Sequence, residues 1–542
     1  MKRATTLKSL FLLIFVSCFM LSACGVQSPD ATIIPSETDM NTKKPVSQIS
    51  FEEIKATENL AQFISDVDYP DKTHNNEAQE TGAIISPYFT MTVNGVSVDC
   101  YSVRTANGAH SFAMIDADDE CFPLSVELTL SSKYKNVTVL PEKYGVKATV
   151  ADKNVSAEID TYGNYTFVPE NKNYVALTLF VREKEAFTAN EGYEVIRVSP
   201  GEHDESVKFT GEKQVLYFES GTHFLKHSVE LLNNTEVYLE PGAYLYAVMP
   251  DSNEAPTLDT DWAGMKRWNA LFWGVNVSDV CIGGRGFIDL SRLDWHARSG
   301  IQFDMCNNVR VEGITLNNSP EWTMFFTRCT NVTVSDVLLF GYRQNSDGIA
   351  IVDTAHALIK NCFARSGDDL FEVKSMYGGC SVPTQDIVFD NCNAWPDKCR
   401  GLGIIAESVN DMSDIHFIDC SVGFAPAEWM DELGALVVYI AGNAHIKDVT
   451  FENTEIHDCR KYPINVTLGE ASGAVIDDLH FNNIIMNGDT CVNVANKSNA
   501  GGEILNVYFE NCVRNGSIAE NASQLKLKLT NTAEENIHII FD

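Results

Sequence analysis

The chain has 542 residues and carries 74 Asp and Glu against 40 Lys and Arg, a formal charge of −34. That length exceeds what one hydrophobic core usually covers, so several domains or an elongated repeat array are expected. The strongly negative field repels polyanions and excludes nucleic acid as an expected partner.

The chain opens with Met1-Lys2-Arg3 and the apolar run Leu10 to Val16, the charged and apolar parts of a secretion leader. Leu21-Ser22-Ala23-Cys24-Gly25 resembles the bacterial lipobox, which implies a leader over 1–23 and a lipid on Cys24. No later stretch has the ~20 apolar residues of a spanning helix, so lipid would be the only membrane attachment. Residues 24–50 are rich in Ser, Thr, Pro and Asp without apolar period and read as a flexible tether. The expected location is the bacterial cell surface or outer membrane.

From 51 to 212 short alternating runs lie between turn signals: Phe89 to Val93, Leu124 to Leu130, Tyr174 to Val181. They predict an N-terminal antiparallel β-sandwich. From 213 to 542 one pattern returns: a polar residue, then alternating apolar and polar residues, then Asn or Asp and a small or apolar residue. Copies include Asn308 to Ile314, Asn331 to Val337, Asp386 to Cys392, Asp414 to Cys420, Asp448 to Thr454, Asp478 to Ile484 and Asn506 to Cys512. The period of about 23 to 34 residues is that of a solenoid. Each copy is a strand with one buried face that ends at a residue able to turn the chain. The predicted fold is therefore all-β, a right-handed parallel β-helix of the pectin-lyase-like type preceded by the sandwich.

The repeat also accounts for the cysteines. Of 15 in the chain, Cys18 leaves with the leader and Cys24 takes lipid, which leaves an odd number without paired C-x-x-C spacing, so neither a metal site nor a complete disulfide framework is indicated. Cys362, Cys392, Cys420 and Cys512 fall in one repeat slot, as core filling would. Asn361, Asn391, Asn453, Asn483 and Asn511 share the slot before it, where amides can form a ladder.

Two acidic motifs stand out: Asn345-Ser346-Asp347-Gly348 and, about one coil later, Gly367-Asp368-Asp369-Leu370. Stacked rungs lie ~4.8 Å apart, so Asp347 is expected beside Asp368 and Asp369. Like charges that close raise at least one pKa, and one protonated plus one ionised carboxyl is what glycoside hydrolysis needs. Calcium binding or solvated turn carboxylates are the plainer alternatives. Strand parity puts Glu372 and Lys374 on one face and Phe371 and Val373 in the core, so Asp369 is accessible only if the strand starts after it. Lys374 on the outward face and Arg400 on the next coil can meet sugar hydroxyls. Trp322, Tyr342, Trp395 and Trp429 are candidate stacking platforms, and Trp262, Trp268 and Trp273 fall in an insertion before the regular coils.

The Asn-x-Asp-Gly and Gly-Asp-Asp pair, followed by a strand ending in Lys374-Ser375, resembles the polygalacturonases of glycoside hydrolase family 28. Asn318-Ser319-Pro320-Glu321-Trp322 is similar to a segment upstream of the first motif in those enzymes. Their Gly-His-Gly stands here as Gly401-Leu402-Gly403, and their uronate-gripping Arg-Ile-Lys has no clear counterpart. The sister family 49 of dextranases and isopullulanase is similar more broadly, because it sets a sandwich before its β-helix. Val237 to Tyr244 and Gly283-Gly284-Arg285-Gly286 resemble its entry segments.

These resemblances imply an inverting glycoside hydrolase in which Asp368 donates the proton while Asp347 and Asp369 hold the attacking water. Substrate contacts are expected from Asn345, Lys374, Arg400, Trp322 and Tyr342. No cofactor or metal is expected, and the protein should act as a monomer on a polysaccharide or oligosaccharide. The missing uronate motif and the negative charge favour a neutral, dextran-like α-glucan, with a polygalacturonase-type pectin hydrolase as the alternative. A polysaccharide lyase and a non-catalytic surface glycan-binding protein remain as the other readings.

Overall fold

The computed structural model describes residues 43–57, 60, 76–170, 173, 175–261 and 264–541. The leader over 1–23, Cys24, the tether as far as residue 42, Tyr174 and Trp262 lie outside the described residues. Residues 43–50, read from sequence as the end of the tether, are folded. Ser47–Gln48 pairs antiparallel with Asp116 and Ile115, and Val46 and Ile49 are buried.

Two sheets form the sandwich. One has seven strands in the order Ala83–Ile85, Tyr101–Thr105, Gly108–Ala117, Val175–Glu183, Gly163–Pro169, Val137–Leu140, with Ser47–Gln48 also on Gly108–Ala117. The other has five, centred on Leu124–Leu130. The five-stranded sheet pairs antiparallel throughout, and the seven-stranded one is antiparallel except where Val175–Glu183 runs parallel to Gly108–Ala117. Alternating residues such as Phe89, Met91 and Val93 fill the space between the sheets, as period-2 patterning dictates.

After the sandwich the chain winds into a parallel β-helix with three stacked sheets of 15, 13 and 11 strands. Its first coil strand is Glu194–Val198, parallel to Gln214–Phe218, so the coils begin ahead of the boundary at 212 expected from sequence. The weak alternation of Glu-Val-Ile-Arg-Val hid this rung. The turn residues of the repeat take left-handed backbone, with φ near +50° at Asn361, Asn391, Asp419, Asn453, Asn483 and Asn511. Asn and Asp visit that region at little cost, which is why the repeat ends as it does. The amide ladder forms from Asn391 to Asn361 and from Asn483 to Asn453, each at 3.0 Å. Inside, Phe389, Phe417, Phe451, Phe481 and Phe509 stack with centroids 4.6 to 5.3 Å apart. Each such pair is worth about 0.5–1.5 kcal/mol beyond its buried area. Cys362, Cys392, Cys420 and Cys512 are buried thiols.

The sandwich and the coils belong to one compact unit. The seven-stranded sheet lays Tyr101, Phe112 and Phe180 against Tyr244, Phe287, Phe340, Phe363 and Trp395 of the second coil sheet. Gly108–Ala117 is consequently buried along its whole length. The acidic motifs lie where the chain enters strands of the third coil sheet. Among the described residues no helix is long and apolar enough to cross a membrane.

Candidate active site

The two motifs occupy the turns that enter consecutive strands of the third sheet, Ile349–Val352 and Phe371–Ser375. Ile349 pairs with Phe371, and the Gly348 N–H donates to the Asp369 carbonyl at 2.8 Å. Asp347 therefore stands abreast of Asp369. The glycines of both motifs are set by this close approach: a Cβ on Gly367 would lie 2.6 Å from the Tyr342 carbonyl oxygen, and one on Gly348 would strike the Leu370 carbonyl.

Carboxylate oxygens of Asp347, Asp369 and Glu372 lie within 4.8 Å of one another. A water making two hydrogen bonds of ~2.8 Å spans such a gap. Asp369 is ion-paired with Arg400, whose Nη1 reaches both of its oxygens at 3.2 and 2.9 Å, and it also accepts the Arg400 backbone N–H at 3.0 Å. The strand does begin after Asp369, at Phe371, yet Asp369 is buried. Asp368, the one partly exposed member of the three, accepts the Asn345 N–H at 2.8 Å and the Asp369 N–H at 3.0 Å.

Lys374 is the hub. Its Nζ lies 3.1 Å from Glu372, 3.4 Å from Glu407 and 3.6 Å from Asp347, and 4.5 Å above the Trp322 ring. A register shift between Phe371–Ser375 and Leu402–Ser408 forms the bulge carrying Glu407, a common device for re-aiming a side chain. Burial, then the charges of Asp368 and Glu372, push Asp347 well above the ordinary carboxyl range. Glu372 is pushed up to about 8, by burial first, with Lys374 partly offsetting it. Burial works against the charges of Lys374 and Arg400, but their carboxylate partners outweigh it and both are pushed up. Cys399, beside Asp368 and Asp369, has a thiol raised by burial and then by Asp368.

Asp347, Asp368, Asp369, Asn345, Lys374, Arg400 and Trp322 are brought together. Tyr342 is not: it is buried, its ring lies 4.7 Å from the Arg104 guanidinium and its hydroxyl donates to the Glu77 carbonyl. The turn that presents Asp347 directs the Tyr342 ring toward the N-terminal segment. Trp395 is core between sandwich and coils. Trp429 is exposed and donates its Nε1–H to the Lys398 carbonyl, on the loop whose Glu432 carbonyl accepts from Arg400 Nε at 2.9 Å. Leu402 points into the core, so in this register no side chain at that position reaches the carboxylates.

Sequence reasoning missed Glu407, Asp261 and His296 and gave Glu372 no role. His296 meets the Asp261 carboxylate through Nδ1, and its Nε2 lies 3.0 Å from Asn345 Oδ1. Asn345 has φ +60°, and this contact fixes the turn whose N–H faces Asp368. Parity placed Glu372 on the face of Lys374, but nothing in the sequence showed that it shares that ammonium with Asp347. Nothing in the sequence links Asp261 to His296.

The site is thus a set of carboxylates gathered on neighbouring coils of a parallel β-helix. Residues 260–469 match the family model described as Glycosyl hydrolases family 28. A polygalacturonase of Juniperus ashei is 24% identical over 260 residues, 46% of this chain and 46% of that protein. Exopolygalacturonase B of Aspergillus niger is 25% identical over 242 residues, 36% of this chain and 53% of that one. The chain spans about half or less of the length of these curated relatives. The solved family 28 exopolygalacturonase of Yersinia enterocolitica is similar with a TM-score of 0.43 at 11% identity, covering 77% of this chain and 96% of that one. The closer likeness to family 49 expected from the sequence has no support in these matches.

Proposed function

We propose that the protein is a glycoside hydrolase of the family 28 type that cleaves a pectic, galacturonan-like polysaccharide with inversion at the anomeric carbon. The observation that carries this is the Asp347–Asp369 pair, spaced to share one water, beside the partly exposed Asp368. In this reading Asp368 protonates the leaving oxygen. Asp369, ion-paired with Arg400, receives a proton from the water, and Asp347 orients that water.

The dextran-like α-glucan favoured by the sequence finds no support in the curated relatives described above, which are polygalacturonases. The charge argument for it is weak at short range: salt screens exposed charges beyond ~8 Å, so net charge does not decide what a cleft binds. The Lys374 ammonium among Asp347, Glu372 and Glu407 favours hydrolysis over calcium-assisted elimination, because it already holds the centre of the carboxylate cluster.

Incubation with polygalacturonate and with dextran tests the reading. New reducing ends are expected from the pectic substrate, in EDTA, with inverted anomeric configuration by NMR and without ultraviolet-absorbing unsaturated ends. Cleavage of dextran alone would restore the glucan reading, unsaturated ends would replace hydrolysis with elimination, and no cleavage of either would remove the proposal.

The proposal also places the enzyme, as a monomer, on the bacterial surface or outer membrane through lipid on Cys24. Its support is the charged start, the apolar run and the small residues before Cys24. Labelling with a radioactive fatty acid should be lost in Cys24→Ser; label that persists in that variant rejects the anchor.

A further inference from the structure

Glu372 is fully buried, and no hydrogen bond of good geometry reaches either carboxylate oxygen, although the Lys374 ammonium stands 3.1 Å from one of them; Asp347 Oδ1 is likewise buried without such a bond. An acceptor in that position ordinarily costs about 1–3 kcal/mol, and more when charged. Buried carboxylates survive on such terms by sharing a cation or a proton. On the outward face of the sheet Glu372 stands between Ala350 of the preceding strand and Gly403 of the following one, so neither neighbour in its column supplies a polar partner. Its one close charge partner is Lys374, at 3.1 Å, and the same ammonium is 3.6 Å from Asp347.

The charged groups around Glu372 come from three coils. Asp347 precedes it, Asp368, Asp369 and Lys374 share its coil, and Arg400 and Glu407 follow. Arg400 is committed to Asp369, which leaves one ammonium among Asp347, Glu372 and Glu407. Glu407 is about half exposed and dissipates its charge in water. Asp347 and Glu372 are the dry members that compete.

We propose that Glu372 is a positioning residue that draws the Lys374 ammonium away from Asp347 and thereby sets the pH range over which the Asp347–Asp369 pair can take a proton from water. The inference rests on the hydrolase reading above. Glu372 acts through Lys374 and does not touch the sugar. Glu372→Gln keeps the shape, removes the negative charge that Glu372 carries where it is ionised, toward and above pH about 8, and leaves Lys374 to Asp347. Asp347 stands raised partly because Glu372 is charged, so its proton affinity falls in the variant. The ionised pair then persists to lower pH, and the acid limb of kcat/KM moves down by about one pH unit.

The experiment is the kcat/KM pH profile of wild type and Glu372→Gln, with their melting temperatures. A downward shift of the acid limb supports the proposal; an unmoved limb overturns it, even if kcat falls. Infrared titration of buried carboxyls in the whole protein, without substrate, separates this from failure of the hydrolase reading and serves if Glu372→Gln does not fold. In Asp347→Asn one carboxyl band should vanish and the Glu372 midpoint should move to lower pH. A Glu372 midpoint indifferent to Asp347 overturns the coupling.

Discussion

Asp368→Asn should lose turnover by on the order of 10²–10⁴-fold, the range that a positioned acid contributes. Asp368 is the member of the cluster that reaches solvent, so it is placed to meet a leaving oxygen. Asparagine copies the shape but cannot donate a carboxyl proton. Stability should change little, by about 1 kcal/mol, because one amide oxygen can serve only one of the two N–H groups, from Asn345 and Asp369, that Asp368 accepts. Steady-state kinetics on the substrate identified by product analysis check this: kcat should fall while KM stays within a few-fold. Turnover near wild type would show that Asp368 is not the proton donor.

Arg365→Met should destabilise the molecule by about 3–5 kcal/mol, the cost of stranding a buried charge. Arg365 projects from the second coil sheet and forms a fully buried ion pair with Asp397, at 3.1 Å. Its Nη1 also donates to the Asn173 carbonyl at 2.8 Å and to His110 Nδ1 at 3.0 Å, joining sandwich to coils. His110 must be neutral to accept, and its pKa is held well below the ordinary value by burial and then by Arg365. Its other nitrogen lies 2.8 Å from Thr178 Oγ1, which fixes the tautomer. The unfolded chain binds a proton there that the folded protein does not. This contribution is therefore present above pH ~6.5 and is lost progressively below it. Thermal or denaturant unfolding measures both effects. Adding Asp397→Leu to Arg365→Met should recover much of the loss, because the stranded carboxylate goes with it. A single-variant loss below about 1 kcal/mol would mean that water reaches Asp397.

The core was legible because each rung repeats one chemical instruction. Phe389, Phe417, Phe451, Phe481 and Phe509 alternate with polar residues, and each strand ends at an Asn or Asp fit for a left-handed turn. The coil at Glu194–Val198 escaped because its alternation is weak, and the docking of residues 43–50 escaped because Val46 and Ile49 stand alone in a polar segment. Tyr342 was misplaced for a related reason: an aromatic beside a motif reads the same whether it faces the cleft or, as here, Arg104 and Glu77.

By itself the sequence determined the stacked parallel coils, the sandwich before them and the neighbourhood of Asp347, Asp368 and Asp369. Each of these depends on local periodicity and on residues one rung apart, and a solenoid turns sequence spacing into distance. Only the tertiary structure decided which cation serves which carboxylate: Arg400 serves Asp369, while Lys374 is divided among Asp347, Glu372 and Glu407. It also decided that an Asp261–His296 pair steadies Asn345. Those partners come from a bulge and an insertion, where the repeat lapses and distance along the chain no longer predicts distance in space.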